Sequence, residues 1–170
     1  MKNLALSIFK NAKIYERAAT ALQAAAHFDT PLLLPSNVNA ALSLELYLKS
    51  LNILEHGVEF KIKGKHSHHF GQLYNELNEP TKLNLNMRFK SSVSQMNIDP
   101  ITLLEREIGR SIPRDLKTNL NVWACIFTDL RYTHSFMEKY KEKPITMVFY
   151  PQIAESIVGH ILEREPSWIS

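Results

Sequence analysis

The stretch "VNAALSLELYLKSLNILEHG" (Val38–Gly57) decides the fold. On a 3.6-residue period Leu42, Leu44, Leu46, Leu48, Leu51, Ile53 and Leu54 point to every side of one helix. A helix that is apolar all round must be surrounded, by other helices of its own chain or by a second subunit. Ser36 or Asn37 can cap its start, and Gly57 closes it, because glycine adopts the left-handed conformation of a helix end without steric cost. Glu45 and Lys49 stand one turn apart on this apolar surface. They form either an ordinary helical pair, worth about 0.2–0.5 kcal/mol, or an inward-facing pair in which Glu45 orients another group.

Outward from this helix, proline and helical periodicity divide the chain. A first helix is predicted from about Leu4 to His27, with Leu4, Ile8, Ala12, Tyr15, Ala19 and Leu22 as its apolar stripe. Pro31 and Pro35 break the connection to the second. A polar loop over Val58–Ser67 carries Lys61, Lys63 and Lys65. A third helix over about His68–Asn78 presents Phe70, Leu73, Tyr74 and Leu77 on one face and stops at Pro80. Residues 81–110 read as an insertion or a mobile flap. They hold a weak helix near Leu83–Met96 and a second, "DPITLLEREIG", with Asp99 as cap and Pro100 in its first turn. A long helix follows from about Pro113 to Tyr140, with Leu116, Leu120, Trp123, Phe127, Leu130, His134 and Met137 as its stripe. Pro144 ends it. The tail has an extended apolar segment, "PITMVFYPQ", and a final helix, "PQIAESIVGHILERE". The expected fold is all-α: one domain over residues 1–170, an antiparallel bundle of four to five core helices with an inserted helical segment at about 81–110 and a C-terminal helix.

Composition fits this reading. Apolar residues make up 45%, enough for a core, and the net charge of +3 lacks the dense basic stripe of a dedicated nucleic-acid binder. The single cysteine, Cys125, excludes an intrachain disulfide and a sulfur-rich zinc site. Its apolar neighbours mark it as a small buried hydrophobe. No apolar run reaches about 18 residues, so no membrane span is expected. The start, "MKNLALSIFKNAK", is too amphipathic and too early-charged for a secretory signal. A reducing, cytoplasmic setting follows.

Three histidines crowd into "KGKHSHHFGQLYNEL" (Lys63–Leu77). His66, His68 and His69 lack the i,i+3 or i,i+4 spacing of a helical metal pair, and no acidic residue or cysteine stands close by. We expect no metal site and no cofactor. His68 instead opens the third helix, where a neutral imidazole can accept a backbone N–H.

In "DLRYTHSF" (Asp129–Phe136), His134 lies on the apolar stripe and Arg131 at its edge. A partly buried guanidinium requires a carboxylate. Glu45 is the expected partner and Asp129 the local rival.

The segments "AALSLELYLKSLNILEHG", "HHFGQLYNEL" and "DLRYTHSF" together resemble the HEPN domain family, over about Ala40–Leu77 and Asn119–Phe136. The resemblance implies an antiparallel helical bundle that forms a homodimer. Many members of that family are metal-independent ribonucleases, toxins or defence effectors, whose signature is an arginine and a histidine separated by four to six residues. Here only Tyr132 and Thr133 separate Arg131 from His134. The implied function is a non-catalytic or degenerate module that binds RNA, a nucleotide or a partner protein, in a toxin–antitoxin or phage-defence setting. In it Arg131 meets the anion, assisted by Tyr132, His134 and His68, with Glu45 and Lys49 behind. The alternative is an active metal-independent ribonuclease, with His134 as acid or base and Arg131 stabilising the charged transition state. A third reading is a purely structural interaction protein. Expected partners are a second copy of the chain, RNA or a nucleotide, and a cognate antitoxin. The apolar excess of the second and long helices is a further argument for the dimer.

Overall fold

In the computed structural model the Val38–Gly57 stretch is the centre of an all-α bundle. The structure describes residues 1–26, 32–59, 61–62, 65–66, 69–129 and 149–169, with 62, 65, 66 and 125–129 described through their backbone. The helices are α1 (Lys2–Ala25), α2 (Leu33–His56), α3 (Phe70–Asn75), α4 (Glu79–Ser94), α5 (Asp99–Ile108), α6 (Leu116–Asp129) and α7 (Tyr150–Arg164). A 3-10 turn (Pro166–Trp168) closes the series. Between α2 and α3, β1 (Lys61–Ile62) and β2 (Lys65–His66) form a two-rung antiparallel pair in what was expected to be plain loop.

α2 packs against α1, α3, α6 and α7. Leu44, Leu48 and Leu51 are fully buried. Its apolar circumference is therefore covered within one chain, and the excess seen in the sequence does not by itself call for a second subunit. Gly57 ends the helix at φ 69°, as its sequence position predicts. The start is earlier than expected. Pro35 sits in the first turn, where its missing N–H has no helical acceptor to lose.

Ser36 is not the cap of α2. It belongs to a seam with α1. Ala5, Ala12 and Ala19 recur every seven residues on α1, Ser36, Ser43 and Ser50 do so on α2, and all six are buried. The Ser50 hydroxyl donates to the Ala5 carbonyl at 2.9 Å and Ser36 to that of Ala19 at 2.8 Å. These bonds fix an antiparallel register in which Ala12 falls opposite Ser43. Small side chains let the two axes approach closely. The buried stripe of α1 is thus Ala5, Phe9, Ala12 and Ala19, and Leu4 and Tyr15 are exposed. The expected stripe was rotated because it ranked residues by hydrophobicity, whereas the seam selects small volume.

His69 stands just before α3, and its carbonyl accepts from the Gln72 and Leu73 amides at 3.0 Å each. Phe70, Leu73 and Tyr74 are buried on its inner face. Gly71 meets α6 so closely that a Cβ there would overlap the Asn121 amide oxygen. Pro80 does not end this helix but opens α4, in whose first turn a proline is tolerated.

α4 is a layer of the core and not a flap over it. Thr81, Leu85, Phe89 and Val93, every fourth residue, are buried, and the helix packs against α6 and α7. α5 keeps Ile101 buried and ends at Gly109, φ 66°. Asp99 is its first residue and does not cap it. α6 begins after Asp115, whose carboxylate accepts the Thr118 N–H at 2.8 Å. Leu116, Leu120 and Trp123 are buried as the stripe predicts. Phe127 and Cys125 are described through their backbone alone, and Leu130, His134, Met137 and the extended tail through Val148 lie outside the described residues. Trp168 returns to α1, its ring 5.5 Å from that of Phe9. Among the described residues no helix is long and apolar enough to cross a membrane.

Candidate functional site

Glu45 and Lys49 are both inside the bundle. The Lys49 ammonium lies 2.8 Å from Glu45 Oε1, and their side chains are 10% and 4% exposed. The two therefore form the i,i+4 helical pair, but in the interior and not on the surface. Glu45 lies two turns before Asn52, so the two share a face. Asn52 donates to the Leu73 carbonyl of α3 at 2.9 Å, which directs that face away from α1 and toward α3. A carboxylate and an ammonium drawn out of water cost several kcal/mol in desolvation, so the chain holds this pair inside against a real penalty. Arg131, Tyr132, His134 and His68 lie outside the described residues, as does Lys63. Among the described residues no group of three His, Cys, Asp or Glu side chains could hold a metal ion.

The sequence reading missed a polar cluster where α4 and α7 meet the end of α2. Glu55, with a side chain only 1% exposed, accepts from the Asn78 N–H at 2.8 Å, from the Thr81 hydroxyl, and from Arg164 at 3.4 Å. Asn84 Oδ1 accepts from Arg88 Nε at 2.8 Å and lies 3.0 Å from His160 Nδ1. With that oxygen fixed as acceptor, His160 carries its proton on Nδ1. Burial first, then the charges of Arg164 and Arg88, hold the His160 imidazole below its usual pKa. Arg88 also pairs with Glu163. Every charge in the cluster faces an opposite one on a neighbouring helix, so it fastens α2, α4 and α7 together.

A second polar contact joins α1 and α2. The Tyr47 hydroxyl donates to Glu16 at 2.7 Å, and Lys13 pairs with the same oxygen at 2.8 Å. Ser43 gives its proton to the Ala40 carbonyl and accepts from the Tyr150 hydroxyl, each at 2.8 Å. Burial pushes the Tyr150 phenol up to about 12.

Tyr150 also lines a cavity of about 250 Å³ between the end of α1 and the starts of α2 and α7. Its aromatic wall is Trp123, Phe149 and Tyr150, with the Trp123 and Tyr150 rings 5.6 Å apart and inclined at 52°. Gln23, Asn37 and Gln152 supply carboxamides, and none of the described lining side chains is charged. Of the lining residues Trp123 and Ala19 stood on predicted stripes. Phe149, Tyr150 and Gln152 lie together in the tail segment, but Gln23 and Asn37 come from far along the chain, and no local signal could have joined the three regions.

No protein-family model, curated protein or solved structure matches the chain.

Proposed function

We propose that the chain is a non-catalytic, HEPN-like helical module that binds RNA or a nucleotide through Arg131. The observation that supports this best is the buried Glu45 carboxylate, turned to the face of α2 away from α1 and held at 2.8 Å by Lys49. The HEPN-like resemblance sets Arg131, Tyr132 and His134 directly beyond α6, a helix that packs on α2. An arginine anchored by an interior carboxylate keeps its planar donor fork aimed at phosphate. The spacing of Arg131 and His134 differs from that of the catalytic members, which favours binding over cleavage. In this reading two copies of the chain share the phosphate cleft.

The test is a mobility-shift titration of labelled single-stranded RNA in EDTA with wild type, Arg131→Ala, Glu45→Gln and His134→Ala. The expected result is a shift without cleavage, weakened about tenfold or more by Arg131→Ala, a loss in the range of a charge-assisted hydrogen bond. Cleavage abolished by His134→Ala would replace this reading with the ribonuclease. Absence of any shift, with Arg131→Ala silent, would leave a structural interaction protein.

A further inference from the structure

We infer that the cavity between α1, α2 and α7 is a pocket for a single nucleobase. The inference deepens the reading above by naming the part of the ligand that the bundle recognises, and it rests on that reading for the ligand being a nucleotide.

Three observations carry it. The first is the lining. Tyr150 offers aromatic surface, backed by the buried Trp123 and Phe149 rings, Gln23, Asn37 and Gln152 offer carboxamides, and none of the described lining side chains is charged. A flat, neutral heterocycle with donors and acceptors on its edge answers that set. Its faces stack on aromatic rings, and its edge pairs with Asn and Gln amides. Among the described residues an anionic or cationic ligand finds no counter-charge here. The second is size. At about 250 Å³ the cavity falls below the range of roughly 300–1,000 Å³ that takes drug-sized ligands. It suits one ring system, with the sugar and phosphate left outside.

The third concerns an acceptor and a strained residue at the same wall. Gln152 Oε1 is fully shielded, yet among the described residues it meets no donor. A buried acceptor left without a partner is costly. A ring N–H of a base in the cavity can supply that donor once the Gln152 amide turns toward it. Two residues earlier, Phe149 adopts φ 65°, the one non-glycine residue among those described in the left-handed region. That conformation costs of order 1 kcal/mol or more, and such outliers gather at ligand sites. Here it turns the chain into α7 and brings Phe149 to the cavity while the ring packs edge-on against Phe89, 5.7 Å away.

The test is calorimetric titration of the full chain with adenosine, guanosine, cytidine and uridine up to about 1 mM, with toluene as an apolar ring lacking edge donors. Variants are Gln152→Leu and Asn37→Ala, each checked by thermal melting. One or more nucleosides should bind, toluene should bind more weakly, and Gln152→Leu should weaken the nucleoside about tenfold, the loss of one buried hydrogen bond. Gln152→Leu should also melt at or above the wild-type temperature, since it removes an unsatisfied buried acceptor. Asn37→Ala is the second reading should Gln152→Leu fail to fold, and it too should weaken the nucleoside. No nucleoside binding, or toluene binding equally with both variants silent, would overturn the inference. An RNA shift that still depends on Arg131 would then leave the proposed function standing, so the two failures are distinguishable.

Discussion

His160 is the residue whose chemistry depends most visibly on its neighbours. Its Nδ1–H is spent on Asn84, and Arg88 from α4 and Arg164 from α7 both oppose a second proton, while Glu163 and Glu55 act in the other direction. The net shift is downward, with burial the leading cause. The sign follows from proton counting. The unfolded chain, with an imidazole near 6.5, binds more protons than the folded one between the two pKa values. Stability is therefore full above about pH 6.5 and falls as the pH drops below it, levelling off once the folded imidazole itself is protonated. Urea melts at stepped pH should show this decline in wild type and a shallower one in His160→Gln. An unchanged slope would exclude His160 as the source. The sequence alone marked His160 only as part of a final helix. Its role depends on Glu55, Asn84 and Arg88, which come from two other helices, and residue order does not encode that meeting.

At the scale of elements, the α1–α2 seam makes the sharpest claim. Ala12 sits on the buried, small-residue face of α1, and Leu4 is 40% exposed. Ala12→Leu should force the helices apart and cost about 1–3 kcal/mol, whereas Leu4→Ala should stay within about 0.5 kcal/mol. Urea unfolding of the two variants checks both, and equal costs would contradict the seam. Ranking by hydrophobicity alone reverses the order, which is why the first helix was legible as a helix but not in its orientation. α2 was legible as a central helix, because seven large aliphatic side chains spread round its circumference, but its start at Leu33 was not, because Pro35 is tolerated in a first turn. Gly57 likewise declared its own conformation. α4 was not legible as a core element. Its buried Leu85, Phe89 and Val93 are separated by asparagine, lysine and arginine, and the stripe is one residue wide. Pro80 was misread for a related reason: a proline ends one helix or opens the next, and only the path of the chain decides which.

For the molecule as a whole, one hydrophobic cluster runs from Ala5 to Trp168 and includes buried residues from all seven described helices. Trp123 on α6 and Trp168 against α1 report from separated parts of it. A single core predicts one cooperative transition. Trp123→Phe and Trp168→Phe leave one indole each, and the fluorescence of each should change alongside the loss of helicity in its own protein. Fluorescence that departs from the helical signal in either variant would mean two folding units. The all-helical class of this core was legible from periodicity, and the cavity at its edge was not, because it assembles from the ends of three helices. The hydroxyl–carbonyl seam has one more consequence. The pairing of α1 with α2 needs nothing beyond His56, so a nascent chain can set that hairpin before α6 and α7 are translated. During that interval Ala41 and Leu48, on the side of α2 turned from α1, await the cover that the later helices supply, so the growing polypeptide carries a transiently exposed apolar strip.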